Sequence, residues 1–138
     1  AMMQTTTSRG TPDAPGAISA HAWLNLLDQR ARLRRRWRAL FEQHDVVLAP
    51  AFGAVAFPHV DHPRQATTPL VIDGVGTNYG DQLAWPGVAT LPGLPATVAP
   101  IDETPEGLPI GLQVIGPFLH DRRTIRVAGW LHALTRRT

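Results

Sequence analysis

Apolar residues recur at helical spacing along a stretch that begins near residue 20. Spaced at about 100° per residue, they fall on one side of a helix and make an amphipathic stripe. The stripe consists of Trp23, Leu26, Leu27, Leu33, Trp37, Leu40 and Phe41. The pattern predicts a helix over residues 20–44 with Ser19 as its N-cap, and the apolar side of this helix needs a partner.

Two arginines lie within this apolar stripe. Because a guanidinium group is costly to bury without partners, Arg30 and Arg34 are predicted to reach solvent or to find hydrogen-bond acceptors. The other arginines of the helix project to its remaining sides, and they are Arg32, Arg35, Arg36 and Arg38.

Three short apolar runs are typical of β-strands. Residues 46–49, followed by a proline, form the first run, and residues 96–99 form the second. The third is GLPIGLQVIG at 107–116, in which side chains alternate between two faces. Its glycines and proline are unusual in a strand. We interpret the face that carries Gly111 and Gln113 as one that lets another element approach the backbone closely.

A turn and a second helix complete the C-terminal part. The segment TPEG at 104–107 has proline second and glycine fourth, as a β-turn prefers, so the last strand returns along its predecessor. Asp121 is placed to cap a helix over residues 122–135. The inward side of that helix consists of Thr124, Val127, Ala128, Leu131 and Leu134.

Between the first two strands, residues 50–92 contain six of the thirteen prolines and are predicted to be irregular. Loops of more than about 12–15 residues are uncommon in compact domains. We therefore expect this stretch to line a pocket or to wrap a neighbouring segment outside the 138 residues.

These elements predict an α/β fold, with a partial mixed sheet of about three strands and two main helices. A sheet of three strands is near the lower limit of independent stability, which indicates a piece of a larger sheet. Residues 1–17 are predicted to be a flexible lead, and residues 18–138 to be one structural segment.

The composition restricts the chemistry that the chain can carry. There is no cysteine, all thirteen basic residues are arginine, and the only serines are Ser8 and Ser19. A lysine base would have to come from outside these residues, and neither serine lies in a glycine-rich turn of the nucleophile-elbow type. We therefore predict no catalytic residue in this chain.

One short loop carries candidate metal ligands. His59, Asp61 and His62 follow one another closely, and imidazole with carboxylate suits zinc or iron. The flanking Pro58 and Pro63 favour a solvated or pocket-lining loop instead, so we expect no metal and no cofactor.

Net positive charge is confined to the first predicted helix. Residues 20–44 carry six arginines against Asp28 and Glu42, while the other residues hold seven arginines against nine carboxylates. A nucleic-acid surface would add aromatic platforms or a second basic element, so a solvated or subunit-contacting face is favoured and nucleic-acid binding is disfavoured. No apolar run approaches the roughly 20 residues that span a bilayer. We expect no membrane partner and a cytoplasmic location.

Several blocks together resemble the C-terminal end of the amidase signature family. They are HDVVLAP at 44–50, TLPGLPATVAP at 90–100, GLPIGLQVIGP at 107–117, and Asp121 with Thr124, Ile125 and Ala128. The resemblance covers residues 20–135. It implies that residues 18–138 are the C-terminal segment of an amidase-type domain, in which these strands join a large mixed sheet between helices.

The family resemblance also implies a chemistry. Members cleave carboxamides with a serine nucleophile, a second serine and a lysine base, which lie in an N-terminal glycine- and serine-rich region with no counterpart here. No position of this chain corresponds to that catalytic set. The resemblance places Tyr79, Asp81 and Trp85 in the wall of the substrate pocket.

The leading hypothesis is a C-terminal structural and substrate-pocket portion of an amidase that is inactive in isolation. The alternatives are a non-catalytic, self-associating interaction module and, less favoured, a nucleic-acid binder that uses the arginine helix. Unpaired sheet edges and apolar surface indicate a homo-oligomer or a missing N-terminal catalytic segment as the partner. A small amide substrate would bind only to the complete enzyme.

Overall fold

The computed structural model describes residues 17–59 and 67–135. The helices are α1 (Ala20–Leu40), α2 (Tyr79–Gln82), α3 (Ala84–Thr90) and α4 (Asp121–Thr135). The strands are β1 (Val47–Pro50), β2 (Pro69–Ile72), β3 (Val75–Asn78), β4 (Ala96–Glu103) and β5 (Pro109–Ile115). The predicted flexible lead lies outside the described residues except for Ala17.

The main sheet has three antiparallel strands in the order β1-β5-β4. Helix α4 packs on it, and Ala99, Val114 and Ala128 form the buried centre between sheet and helix. The predicted α/β class, with about three strands and two main helices, is confirmed.

Strand β4 is longer than the predicted 96–99, since it continues through Pro100 to Glu103. The register shifts between Pro100 and Asp102, which marks a β-bulge. Because β4 is an edge strand of this sheet, a proline that lacks an N–H donor is tolerated there. At the bulge, the carbonyl oxygen of Pro100 lies 2.9 Å from Nδ1 of His132 on α4.

The predicted turn between β4 and β5 is confirmed. The N–H of Gly107 donates to the carbonyl of Thr104 at 2.8 Å, and Gly107 has a φ of 81°. Glycine enters this left-handed region without the steric penalty that a β-carbon brings.

Helix α1 begins as predicted, because the hydroxyl of Ser19 accepts the N–H of Ala22 at 3.1 Å. It ends at Leu40 rather than at residue 44, since the N–H groups of Glu42 and Gln43 bond three residues back in a tightened last turn. None of its side chains is buried by the described part of the protein, and Trp23 is 54% exposed.

The prediction of an irregular stretch over residues 50–92 is wrong in its second half. Strands β2 and β3 form a hairpin with Ile72 opposite Val75, followed by α2 and α3. The two turn residues, Asp73 and Gly74, have φ values of 51° and 78°. Two positive φ values suit the two-residue turns that match strand twist, and Asp-Gly is a favoured sequence for such turns.

Candidate functional site

Gln113 is a buried polar side chain in the middle of β5 and is only 4% exposed. Its amide nitrogen donates to the carbonyl of Trp85 at 3.2 Å and to that of Pro50 at 3.4 Å. These bonds join the end of β1 and the start of α3 to the centre of the sheet.

Gly111 allows the same face of β5 to be approached closely. A β-carbon there would lie 3.1 Å from Cγ1 of Val98 and 3.6 Å from the β-carbon of Ala51. The predicted close approach at Gly111 and Gln113 is therefore confirmed, and the approaching segments are the one that follows β1 and the one that begins α3.

Three aromatic rings gather where the segment after β1 meets α2. The ring centroids of Phe52 and Tyr79 are 5.5 Å apart, those of Phe52 and Phe57 are 6.3 Å apart, and those of Phe57 and Tyr79 are 6.4 Å apart. The backbone N–H of Tyr79 donates to the carbonyl of Thr68 at 2.8 Å, which ties this cluster to the β2–β3 hairpin. The cluster thus combines two apolar rings with the phenol ring of Tyr79.

Asp81 is exposed and serves its own segment. Its carboxylate accepts the amide of Asn78 at 3.3 Å and the hydroxyl of Thr77 at 3.4 Å. Gln82 in turn donates to the Thr77 hydroxyl at 3.2 Å. The carboxylate thus holds the junction between β3 and α2.

The three residues placed in the pocket wall lie close together along α2 and α3, but with different surroundings. Tyr79 is half-buried among phenylalanines, Asp81 is exposed, and the ring of Trp85 is partly exposed while its carbonyl receives Gln113. Among the described residues, no hydrogen bond or ring contact joins the three side chains to one another.

Sequence reasoning missed Phe52 and Phe57 as members of this site. The available signal was a pair of large aromatic residues in an otherwise small-residue segment, AFGAVAF, directly after a buried strand. Such side chains are costly to expose, so their position predicts an aromatic contact nearby.

Residues 17–59 and 67–135 contain no serine other than the helix cap and no group arranged to bind a metal ion. The one described serine, Ser19, caps α1 and is remote in sequence from the aromatic cluster. In residues 17–59 and 67–135, no group of three His, Asp or Glu side chains is arranged to hold a metal ion. Of the predicted metal-ligand loop, His59 is described, whereas Asp61 and His62 lie outside the described residues.

Two GLP-containing blocks, at 93–95 and 107–109, lead into the adjacent strands β4 and β5. This arrangement agrees with a comparison of the sequence with known protein families. The model of the Amidase family matches residues 3–125. The chain belongs to the amidase family.

This chain matches only a part of the length of curated members of the amidase family. A glutamyl-tRNA(Gln) amidotransferase subunit of Synechococcus sp. (strain RCC307) is 34% identical over 99 residues, which is 72% of this chain and 18% of that protein. A fatty acid amide hydrolase of Medicago truncatula is 35% identical over 105 residues, 76% of this chain and 16% of that protein. This amidase-family chain therefore spans less than a fifth of these relatives.

The fold agrees with a solved amidase. A crystal structure of an amidase matches with a TM-score of 0.63 at 21% sequence identity, covering 84% of this chain and 25% of the other. The α/β unit is thus a fragment of the larger amidase fold. No helix in the described part of this chain is long and apolar enough to cross a membrane.

Proposed function

We propose that the chain supplies the C-terminal structural and substrate-pocket portion of an amidase and is catalytically inactive by itself. The observation that carries the proposal is the partial match, which leaves more than four-fifths of the Synechococcus amidotransferase protein without a counterpart in these residues.

The reaction it would serve is acyl transfer. A nucleophile attacks the amide carbonyl, ammonia or an amine leaves, and water hydrolyses the acyl intermediate. This reaction requires an activated nucleophile, a general base and hydrogen-bond donors for the developing oxyanion. The chain has no lysine, and Ser19 already accepts a backbone N–H as a helix cap. The proposal therefore assigns the reacting groups to another polypeptide segment.

The contribution of this chain would be the wall that faces the acyl part of a small amide. Tyr79, Asp81 and Trp85 lie on α2 and α3, and the Tyr79 ring contacts the aromatic pair Phe52 and Phe57. An apolar wall with a phenol and a carboxylate near its rim suits a substrate that has an apolar body and a polar amide.

Catalytic inactivity is tested by measuring ammonia release from simple carboxamides with the isolated 138-residue chain. We expect no turnover above the buffer rate. Turnover that persists through repeated purification and follows the protein peak would overturn the proposed inactivity.

The pocket role is tested by joining the N-terminal region of the Synechococcus amidotransferase protein to this chain and assaying the fusion. We expect Tyr79→Ala and Trp85→Ala to raise KM for aryl or acyl amides at least about fivefold, whereas Trp130→Ala on the exposed side of α4 has no effect. An active fusion whose KM is unchanged by the first two variants would contradict the pocket role.

A further inference from the structure

A second recess lies apart from the residues proposed for the substrate wall. It is a cavity of about 630 Å³ between the C-terminal half of α1 and the segment that joins β5 to α4. This volume is within the range of small-molecule sites. None of Tyr79, Asp81 and Trp85 lines it, so it is separate from the proposed substrate wall.

One wall of this cleft is fixed by Arg34. Its Nε donates to the carbonyl of Pro92 at 2.8 Å, and its guanidinium lies 4.5 Å from the centroid of the Phe118 ring. A guanidinium group held by a hydrogen bond and a ring contact has little conformational freedom left to lose when a ligand binds.

Arg123 on α4 also lines the cleft, and its guanidinium pairs with the exposed carboxylate of Asp45 at 3.2 Å. Its backbone N–H also donates to the carbonyl of His120 at 2.9 Å, and the N–H of His120 donates to Pro117 at 3.0 Å. Leu119, which lies between Pro117 and His120, has a φ of 64°, an uncommon conformation for a residue that bears a β-carbon. The joining segment is therefore a shaped turn that brings Phe118 and His120 to the cleft.

Two cations in the cleft are not engaged by the described residues. Arg35 and Arg38 line it, and neither makes a hydrogen bond or an ion pair with the described part of the chain. The lining includes four arginines and one carboxylate, that of Glu42. Arginine presents a planar fork that matches carboxylate and phosphate oxygens.

The rest of the lining is apolar and includes Phe41, Leu94, Pro117 and Phe118. A free inorganic anion would leave this half of the cleft in contact with water. We propose that the cleft is a binding site for an amphipathic organic anion, in which an aryl or acyl body packs against Phe41 and Phe118 and a carboxylate or phosphate head reaches Arg35 and Arg38.

A groove near the N-terminal half of α1 has a similar composition and is the natural comparison. Its lining comes from α1 itself except for Leu91, and two of its arginines already have acceptors. Arg32 pairs with Asp28 at 2.7 Å, and Arg30 donates to the carbonyl of Leu91 at 2.8 Å. Arg36 is the remaining cation there, which makes Arg36→Ala a matched control on the same helix.

The test measures binding of 3-phenylpropionate and phenyl phosphate to the full chain by isothermal titration calorimetry. Both anions are expected to bind at least about tenfold more tightly than 3-phenylpropan-1-ol, which lacks the charge, and than propionate, which lacks the ring. The ratio of the two anion affinities identifies the preferred head group.

Variants locate the site. Arg35→Ala combined with Arg38→Ala should weaken binding of both anions at least about tenfold, Phe118→Ala should weaken it several-fold, and Arg36→Ala should leave it within about twofold. Circular dichroism checks that each variant is folded, and if the double variant is not, Arg38→Gln alone carries the test with an expected loss of about threefold.

Three outcomes would overturn the proposal. Equal affinity for the alcohol would show a purely apolar recess, and equal loss in Arg36→Ala would place binding in the other groove. Displacement of the ligand by a short RNA that binds with undiminished affinity to Phe118→Ala would identify a polyanion surface instead.

Discussion

Gln113 places two hydrogen-bond donors on a buried strand, and its environment explains why a polar side chain occupies this position. The amide reaches the carbonyls of Pro50 and Trp85, which end one element and begin another. Gly111, two residues earlier on the same face, leaves room for the segment around Ala51. Gln113 thus supplies the two hydrogen bonds, and Gly111 supplies the space for the neighbouring segment.

Replacing Gln113 with leucine tests this arrangement. The volume is nearly kept, but both carbonyls lose the donor that the almost fully buried Gln113 side chain provides, so the free energy of unfolding should fall by about 1–2 kcal/mol. Urea denaturation measures the change. Gln43→Leu, at an exposed position after α1, is the control and should change stability by less than about 0.5 kcal/mol. Equal losses in the two variants would show that the Gln113 bonds are not the cause.

Leu119 has a strained backbone conformation, and a substitution can relieve this strain. Its φ of 64° costs about 1–2 kcal/mol for a residue with a β-carbon, and its side chain is 76% exposed, so little burial offsets that cost.

We expect Leu119→Gly to raise the free energy of unfolding by about 0.5 kcal/mol, because relief of strain exceeds the entropy that glycine adds to the unfolded chain. Leu119→Ala keeps the β-carbon and should give no gain. A gain of similar size in the alanine variant would show that loss of exposed apolar surface, rather than backbone strain, is responsible. Chemical denaturation of the three proteins decides between these results.

At the scale of elements, the long regular segments could be predicted from the sequence and the short ones could not. Helices α1 and α4 have a helical apolar period and identifiable starts, so their positions followed from pattern alone. The β2–β3 hairpin has strands of only four residues. Its Asp73-Gly74 turn was a readable signal, but the prolines around it suggested an irregular loop.

The candidate site was predictable only in part for a related reason. Tyr79, Asp81 and Trp85 came from a family resemblance, which supplies positions along the chain but no contacts. The grouping of Tyr79 with Phe52 and Phe57 depends on how the segment after β1 folds against α2, and no local period encodes that contact.

The attachment of α1 depends on polar contacts more than on burial. Of the two alternatives predicted for Arg30 and Arg34, solvent or hydrogen-bond acceptors, the structure shows the second, since they donate to the adjacent carbonyls of Leu91 and Pro92. Gly93 follows with a φ of 72°, and a β-carbon there would lie 3.1 Å from a terminal nitrogen of Arg30. The turn before β4 is thus shaped to receive both guanidinium groups.

Removing both groups should loosen α1 while the sheet stays intact. In Arg30→Met combined with Arg34→Met we expect amide hydrogens of α1 to exchange about tenfold faster, since two charge-assisted bonds at a largely exposed contact are lost together. Exchange in β5 should change little. Hydrogen exchange with mass spectrometry provides the measurement.

The matched control for this prediction changes two other arginines of α1. Arg36 and Arg38 are exposed and make no hydrogen bond or ion pair with the described residues, so Arg36→Met with Arg38→Met should leave the exchange of α1 unaltered. The same acceleration in this control would mean that loss of positive charge, rather than loss of the two specific bonds, frees the helix.

At the scale of the whole molecule, apolar surface is distributed as in a part of a larger assembly. Trp23, Leu24, Leu26 and Leu27 are exposed on the first half of α1, and β1 and β4 each have an edge without a partner among the described strands. Isolated domains seldom expose so much contiguous apolar surface, and unpaired edges favour pairing with another chain. In a purified sample, the partner that can cover this surface is a second copy of the same chain.

We therefore predict that the purified chain self-associates through the apolar side of α1. Light scattering should give a mass of at least twice 15.0 kDa at micromolar concentration. Leu26→Gln with Leu27→Gln keeps helix propensity but removes apolar contact, and should shift the mass towards 15.0 kDa. Leu134 was predicted on the inward side of α4 but is 61% exposed near the end of that helix, so Leu134→Gln is the control and should leave the association unchanged. A single monomeric species at every concentration would contradict self-association and would leave a separate catalytic segment as the partner that the apolar side of α1 requires.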